Sequence, residues 1–78
     1  MGILFALDNI THEIVVSKST NGSNKIDVIE RIKQSENELL YNAVKTLTSI
    51  TRSENFDAKI YDSMDKVCQM IYNIGKEN

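Results

Sequence analysis

The sequence predicts a mainly α protein, a small helical bundle built on a helical hairpin, and three observations support this fold class. Apolar residues recur at helical spacing over residues 24–52 and again over residues 54–74. The chain contains no proline, so neither segment carries the residue that most often breaks a helix. Polar, turn-forming residues precede each segment and mark where each helix should begin.

Residues 54–74 carry the clearest helical pattern. Apolar residues follow one another at intervals of 4, 4, 3, 4 and 3 residues, at Phe56, Ile60, Met64, Val67, Ile71 and Ile74. Ser53 is placed to cap the N-terminus and Gly75 to end the helix. With Tyr61 and Tyr72 at its edge, the apolar arc covers roughly 200°, about twice what one neighbouring surface requires. We therefore expect this helix to contact two surfaces, with the aliphatic residues inside the fold and the tyrosines at its border.

Residues 24–52 carry a second helical pattern. It is formed by Ile26, Ile29, Ile32, Leu39, Leu40, Ala43, Val44, Leu47 and Ile50. The charged residue Glu36 falls inside the apolar arc of a continuous helix. Ser35, with Glu38 three residues later, has the sequence of a capping box, which would start a new helix there. Two interpretations stay open, a helix that breaks near residues 33–36 and an unbroken helix whose middle is exposed.

The N-terminal segment, residues 3–20, fits two structures. Helical spacing links Ile3, Leu7, Ile10 and Ile14. The β-branched run at residues 14–16 is typical of a strand instead. We favour a helix that ends at Gly22. In the strand alternative, Asn21 and Gly22 form the turn of a hairpin that continues into residues 23–29.

The length of 78 residues predicts a single domain, residues 1–78, with a small core. A chain of this size usually needs a disulfide, a metal or a partner chain for stability. Cys68 is the only cysteine, so an internal disulfide is excluded, and we interpret it as a small buried hydrophobic residue. Self-association is the support that remains, and we expect a homodimer.

Charge and hydropathy argue against two classes of partner. The net charge is −2 and the basic residues are scattered, whereas nucleic-acid binding requires several basic groups together. No apolar run approaches the roughly 20 residues that span a bilayer, and the N-terminus lacks a basic leader region. We therefore expect no nucleic acid, no membrane and a cytoplasmic protein, in the host cytoplasm if the gene is viral.

The residues that carry catalysis or bind cofactors are scarce. His12 is the only histidine and is far from Cys68 in sequence, so no nucleophile is paired with a base. Only three glycines occur, too few and too scattered for a phosphate-binding loop. The sequence predicts no catalytic residues, no cofactor and no metal, and hence no enzyme.

One short segment allows an enzyme as an outside alternative. Residues 61–65 resemble, at Asp65 alone, the Ser-x-x-Leu-Asp signature of the small helical-hairpin aspartyl-phosphate phosphatases of sporulation relays. Tyr61 occupies the position of the signature serine and Met64 that of the leucine. This resemblance would imply a phosphatase built on Asp65, but one matching residue does not assign the chain to the family.

By elimination, we interpret the chain as a protein-binding regulatory or accessory factor, an inhibitor or adaptor of the kind common among small cytoplasmic and phage proteins. Tyrosine and methionine are enriched at protein interfaces. The candidate interface on the last helix comprises Tyr61, Met64, Cys68, Met70 and Tyr72. The alternative is a structural subunit of a larger assembly.

Overall fold

The computed structural model describes residues 3–19 and 26–77 and has an α+β fold. A three-stranded antiparallel sheet of order β1-β2-β3 comes first along the chain, and two helices follow. The elements are β1 (Ile3–Leu7), β2 (Glu13–Ser19), β3 (Ile26–Lys33), α1 (Glu38–Thr51) and α2 (Ala58–Glu77). The predicted mainly α helical bundle is therefore wrong, because residues 3–7, 13–19 and 26–33 form strands.

A tight turn between β1 and β2 explains why the N-terminal segment is a hairpin rather than the favoured helix. The Asp8 carboxylate accepts hydrogen bonds from the backbone N–H groups of Ile10, at 2.9 Å, and Thr11, at 3.2 Å. His12 has a φ of 59°, a left-handed conformation that reverses the chain and that His adopts more readily than most residues. These local bonds stop a helix at Asp8 and direct the chain back along β1.

The strand alternative is therefore the correct one for this segment, and β-branched residues occupy its centre. β1 pairs with β2 so that Phe5 lies opposite Val16 and Leu7 lies opposite Ile14. Ile14 and Val16 are fully buried. Such residues pack well on a pleated surface and lose side-chain freedom in a helix.

β2 also pairs with β3, and an extra residue interrupts this register. Val16 lies opposite Glu30, whereas Ser17 lies opposite Val28, so Ile29 has no partner and forms a β-bulge. Because residues 26–33 pair with β2 as a strand, the predicted helix over residues 24–52 is wrong in its first third. The apolar residues at its start belong to a strand.

The connection between β2 and β3 spans residues 20–25, which lie outside the described residues. Both the turn predicted at Asn21 and Gly22 and the role of Gly22 as a helix end fall in this connection. The antiparallel pairing of β2 with β3 is the arrangement that the strand alternative requires.

The predicted break near residues 33–36 is where the strand ends and α1 begins. The cap of α1 is Asn37 rather than Ser35, because the Asn37 side-chain oxygen accepts a hydrogen bond from the Leu40 N–H at 3.1 Å. An asparagine at this position satisfies one of the free N–H groups of the first turn. The unbroken-helix interpretation is wrong.

α2 begins later than the predicted 54–74 because Asp57, not Ser53, is its cap. The Asp57 carboxylate accepts hydrogen bonds from the N–H groups of Lys59, at 2.9 Å, and Ile60, at 3.4 Å. A carboxylate at a helix N-terminus is stabilised both by these bonds and by the helix dipole.

Gly75 does not end α2, which continues to Glu77. The glycine allows close packing instead. A Cβ atom placed on Gly75 would lie 3.1 Å from the Asn37 side-chain nitrogen at the start of α1. The C-terminal part of α2 can therefore lie against the cap of α1.

One core is shared by the sheet and both helices. Its buried residues are Ile14, Val16, Ile32, Leu40, Tyr41, Ala43, Val44, Leu47, Cys68 and Tyr72. α1 packs on β1, β2 and α2, so the helices cover one face of the sheet. Within residues 3–19 and 26–77, neither helix combines the length and hydropathy that crossing a bilayer requires.

Candidate interaction surfaces

The face of α2 that points into the fold carries Cys68 and Tyr72. Cys68 is fully buried and Tyr72 is only 7% exposed. The Tyr72 ring packs edge-on against Phe5 of β1, with ring centroids 5.6 Å apart. This edge-to-face contact is a favourable arrangement for two aromatic rings. Tyr72 therefore fills the space between helix and sheet.

The Tyr72 hydroxyl is paired inside the fold. It donates a hydrogen bond of 2.8 Å to the Glu30 carboxylate on β3, and the Lys76 ammonium lies 2.7 Å from the same carboxylate oxygen. The hydrogen bond from Lys76, assisted by the one from Tyr72, lowers the pKa of Glu30. Burial and the Glu30 carboxylate together raise the pKa of Tyr72. This cluster joins the last turns of α2 to β3.

A second polar contact joins α2 to the other edge of the sheet. The Gln69 side-chain N–H donates a hydrogen bond of 2.7 Å to the backbone carbonyl of Ile3 in β1. Gln69 and Glu30 thus connect α2 with both outer strands. Both hydrogen bonds form only when this face of α2 points at the sheet, so they fix the orientation of the helix.

The side of α2 next to this buried face carries an apolar stripe that turns outward to solvent. We call it the heptad stripe, and it comprises Ile60, Met64, Val67, Ile71 and Ile74. Three of these side chains are strongly exposed, Ile60 at 53%, Val67 at 40% and Ile74 at 57%. Met64 and Ile71 are partly buried and pack against the core from its outer side. The stripe therefore forms the boundary between the core and solvent along α2.

Two further apolar residues extend the heptad stripe. Met70 is 62% exposed and lies on the solvent side of the stripe. Leu39, in the first turn of α1, is 67% exposed and lines a shallow groove with Ile71 and Ile74. The exposed apolar surface thus runs from α2 onto the beginning of α1.

The heptad stripe contains no charged side chain, and its nearest charges lie to one side. Lys66 and Asp62 pair with each other at 3.2 Å on the polar side of α2. At about 100° per residue, both lie roughly a quarter turn or more from the middle of the stripe. A partner that covers the stripe would therefore leave this ion pair in water.

A second apolar surface covers part of the sheet on the side away from the helices. We call it the open sheet face, and it comprises Leu4, Ala6, Val15, Ile26 and Val28. These residues alternate along the strands with those that point into the core, and cross-strand pairing places Ala6 opposite Val15. Ile26 and Val28 are more than half exposed. The molecule thus has two separate outward apolar surfaces.

Charged residues border the open sheet face near the β1–β2 turn. The Arg31 guanidinium pairs with Asp8 and, at 3.0 Å, with Glu13. The backbone N–H of Ile10 and the Arg31 guanidinium lower the pKa of Asp8 to about 2, and Arg31 lowers that of Glu13. This cluster fixes β3 to the turn, and its charges are already paired within the chain.

The predicted interface residues divide between the two sides of α2. Cys68 and Tyr72 are buried in the chain, so the expectation that Tyr72 borders the fold is wrong. The interpretation of Cys68 as a small buried hydrophobic residue is confirmed. Tyr61 and Met64 are partly buried against the core, and Met70 is exposed.

Sequence reasoning missed three exposed members of the surface, Ile60, Val67 and Ile74. Their spacing was recognised, but it was interpreted as the core of the helical hairpin. The available signal was the width of the apolar arc, since an arc of roughly 200° cannot be buried against one neighbour. The half of the arc that faces the sheet is decided by hydrogen bonds to Glu30 and Ile3, and both of these residues lie in strands.

The side chains with catalytic potential lie in unrelated environments. Burial and the Asp65 carboxylate raise the pKa of the Cys68 thiol to about 11, so it stays protonated and unreactive at neutral pH. His12 is exposed in the β1–β2 turn, and Asp65 is partly buried on α2. Among the residues that the structure describes, no three His, Cys, Asp or Glu side chains are placed to bind a metal.

Comparison of the chain with protein-family models, with curated proteins and with solved structures finds no match. The functional proposal therefore depends on the surfaces described above.

Proposed function

We propose that the chain is a protein-binding regulatory or accessory factor that contacts another protein chain through the heptad stripe of α2. The observation that carries this proposal is the row of strongly exposed aliphatic residues Ile60, Val67 and Ile74. Removing such side chains from water contributes roughly 25 cal/mol for each Å² buried. A contiguous patch of this kind on a folded domain commonly marks an interaction site.

Two properties of the heptad stripe favour a protein as the ligand. It is a long, shallow strip on a helix, whereas small molecules bind in enclosed cavities. It also has an apolar centre and a polar border, the arrangement typical of protein interfaces. A cytoplasmic setting stays part of the proposal and is supported by Cys68, because a buried free thiol suits a reducing compartment.

A matched pair of charge variants tests this proposal by affinity capture from a lysate of the source organism. Val67→Glu places a carboxylate in the middle of the heptad stripe, and Asn73→Glu adds the same charge at an exposed position on the polar side of α2. We expect wild type and Asn73→Glu to capture the same protein and Val67→Glu to lose it, because an unpaired carboxylate is costly to bury. Equal capture by all three, with unchanged circular dichroism, would contradict the proposal.

The second candidate function, a structural subunit of a larger assembly, is favoured by one observation. The open sheet face is separate from the heptad stripe, since the helices cover the other face of the sheet, so each copy can offer two apolar surfaces. Contacts between unlike surfaces build a ring of subunits when the rotation between copies closes and an open chain when it does not. Light scattering separates the candidates, because an assembly grows beyond two copies with concentration and depends on Val28 as well as Val67.

A further inference from the structure

The heptad stripe follows one side of α2 over about four turns. Its five residues follow one another at intervals of 4, 3, 4 and 3, an average of 3.5 residues. This is the repeat of helices that pack side by side with interlocking side chains. The heptad stripe is therefore a continuous apolar row along α2, a shape against which a second helix can pack.

α2 itself is a helix that carries the matching surface. Ile60 and Ile74 stand seven residues before and after Val67, so the stripe is balanced about its middle residue. A two-fold symmetric dimer brings the same patch of both copies together, which requires a patch that complements itself. Aliphatic residues on both sides of the middle satisfy this condition.

The heptad stripe is uncharged, so repulsion between like charges does not oppose its association with a second copy. When identical patches meet, each charged residue approaches its own copy, and like charges across an interface are destabilising. No position of the stripe between Ile60 and Ile74 is ionisable. The nearest ion pair, Lys66 with Asp62, is neutral as a unit and lies to one side.

The exposed area is close to what a small dimer requires. From their exposed fractions, the heptad stripe, Met70 and Leu39 together offer roughly 600 Å² on each copy, against roughly 800 Å² per partner in a standard interface. The buried core of a 78-residue chain is also small, so association adds stability that the single chain lacks.

We propose that the chain covering the heptad stripe is a second copy of this chain, in a two-fold symmetric dimer that packs α2 against α2 with Val67 beside Val67. This inference rests on the proposed function, since it names the occupant of the same surface.

Analytical ultracentrifugation of the full chain over about 1 to 100 µM tests the dimer. The average mass of an associating protein rises with its concentration across such a range. We expect wild type to have twice the monomer mass of 8.9 kDa at the upper end. Val67→Glu should weaken self-association at least about 100-fold, and Asn73→Glu should change it less than about threefold. A wild type that stays monomeric throughout would overturn the proposal.

A disulfide cross-link tests the position of the contact without disturbing its apolar character. Val67→Cys should oxidise to a covalent dimer, because the two introduced thiols lie next to each other. Wild type is the matched control, since its Cys68 is buried with a raised pKa and should not cross-link. A dimer that does not cross-link through position 67 would place the interface elsewhere and overturn the proposed contact.

The two proposals can fail separately. A monomeric wild type whose capture of another protein is lost in Val67→Glu would overturn the dimer and leave the heptad stripe as a surface for a different chain. A dimer whose mass is unaffected by Val67→Glu would overturn the α2–α2 contact, and equal capture by wild type and Val67→Glu would in addition overturn the heptad stripe as the binding surface.

Discussion

The two faces of α2 stabilise the protein in different ways. The inward face contacts the sheet through Tyr72 and Gln69, whose polar atoms have named partners on β3 and β1. The outward face carries aliphatic side chains such as Ile60 and Val67, which are largely exposed. A buried hydroxyl or amide requires a partner in one position, whereas an aliphatic side chain accepts any apolar cover. The polar contacts therefore decide which side of α2 faces the sheet, and the aliphatic side chains stay largely exposed.

The strongest test of this comparison uses two neighbouring residues, Val67 and Cys68. Cys68→Glu buries a carboxylate close to the Asp65 carboxylate, and we expect it to cost more than about 4 kcal/mol and to unfold the chain. Val67→Glu changes a side chain that is 40% exposed, so the fold should lose about 1 kcal/mol or less when it is compared with wild type at a protein concentration where wild type is monomeric. Circular dichroism and denaturant midpoints measure both. Equal loss of structure in the two variants would show that Val67 belongs to the core.

The next largest effect is the difference in unfolding free energy between truncating Tyr72 and truncating Ile60. Tyr72→Ala should lower the free energy of unfolding by about 3–5 kcal/mol, as for other large buried side chains. Ile60→Ala should lower it by about 1 kcal/mol or less, because Ile60 is 53% exposed. Both measurements are made in the Val67→Glu background, where dimerisation does not contribute to stability.

Tyr72→Phe is the control for the hydroxyl, since it keeps the ring against Phe5 and removes only the bond to Glu30. We expect a loss of about 1 kcal/mol, because Glu30 retains Lys76. The sequence predicts the opposite order, with Ile60 more important to the fold than Tyr72. Finding that order by experiment would reverse the orientation of α2 described here.

The helical half of the fold was predictable because its signals are local. The spacing of apolar residues over 54–74 indicates a helix, and α2 differs from it only in its ends. The capping atoms of Asp57 and Asn37 belong to residues within three positions of the groups that they bind. Such short-range features can be recognised without knowledge of the rest of the chain, although several residues can compete for one cap.

The sheet and the orientation of α2 depend on distant residues and could not be predicted in the same way. Apolar residues over 24–33 have spacing that a helix or a bulged strand can produce, and pairing with β2 decides between them. Tyr72 was misplaced because its partner Glu30 belongs to the strand that was interpreted as a helix. The interpretation of β3 as a helix therefore led to the wrong assignment of the buried and exposed faces of α2.

The smallest expected effect is the dependence of the inward face on acid. The pKa of Glu30 is lowered from its ordinary value of 4.5 by Lys76 and Tyr72 in the folded chain. The unfolded state therefore binds this proton more readily, so the Glu30 contribution to stability is full above about pH 4.5 and is lost as the pH falls through the lowered value. Glu30→Gln should remove this part of the acid sensitivity. The contribution of Asp8, whose pKa is lowered to about 2, should be the same with Glu30 and with Gln at position 30. Denaturant unfolding between about pH 6 and 3 in the Val67→Glu background measures the difference. Parallel stability curves for the two proteins would show that Glu30 does not hold α2 to β3 through its charge.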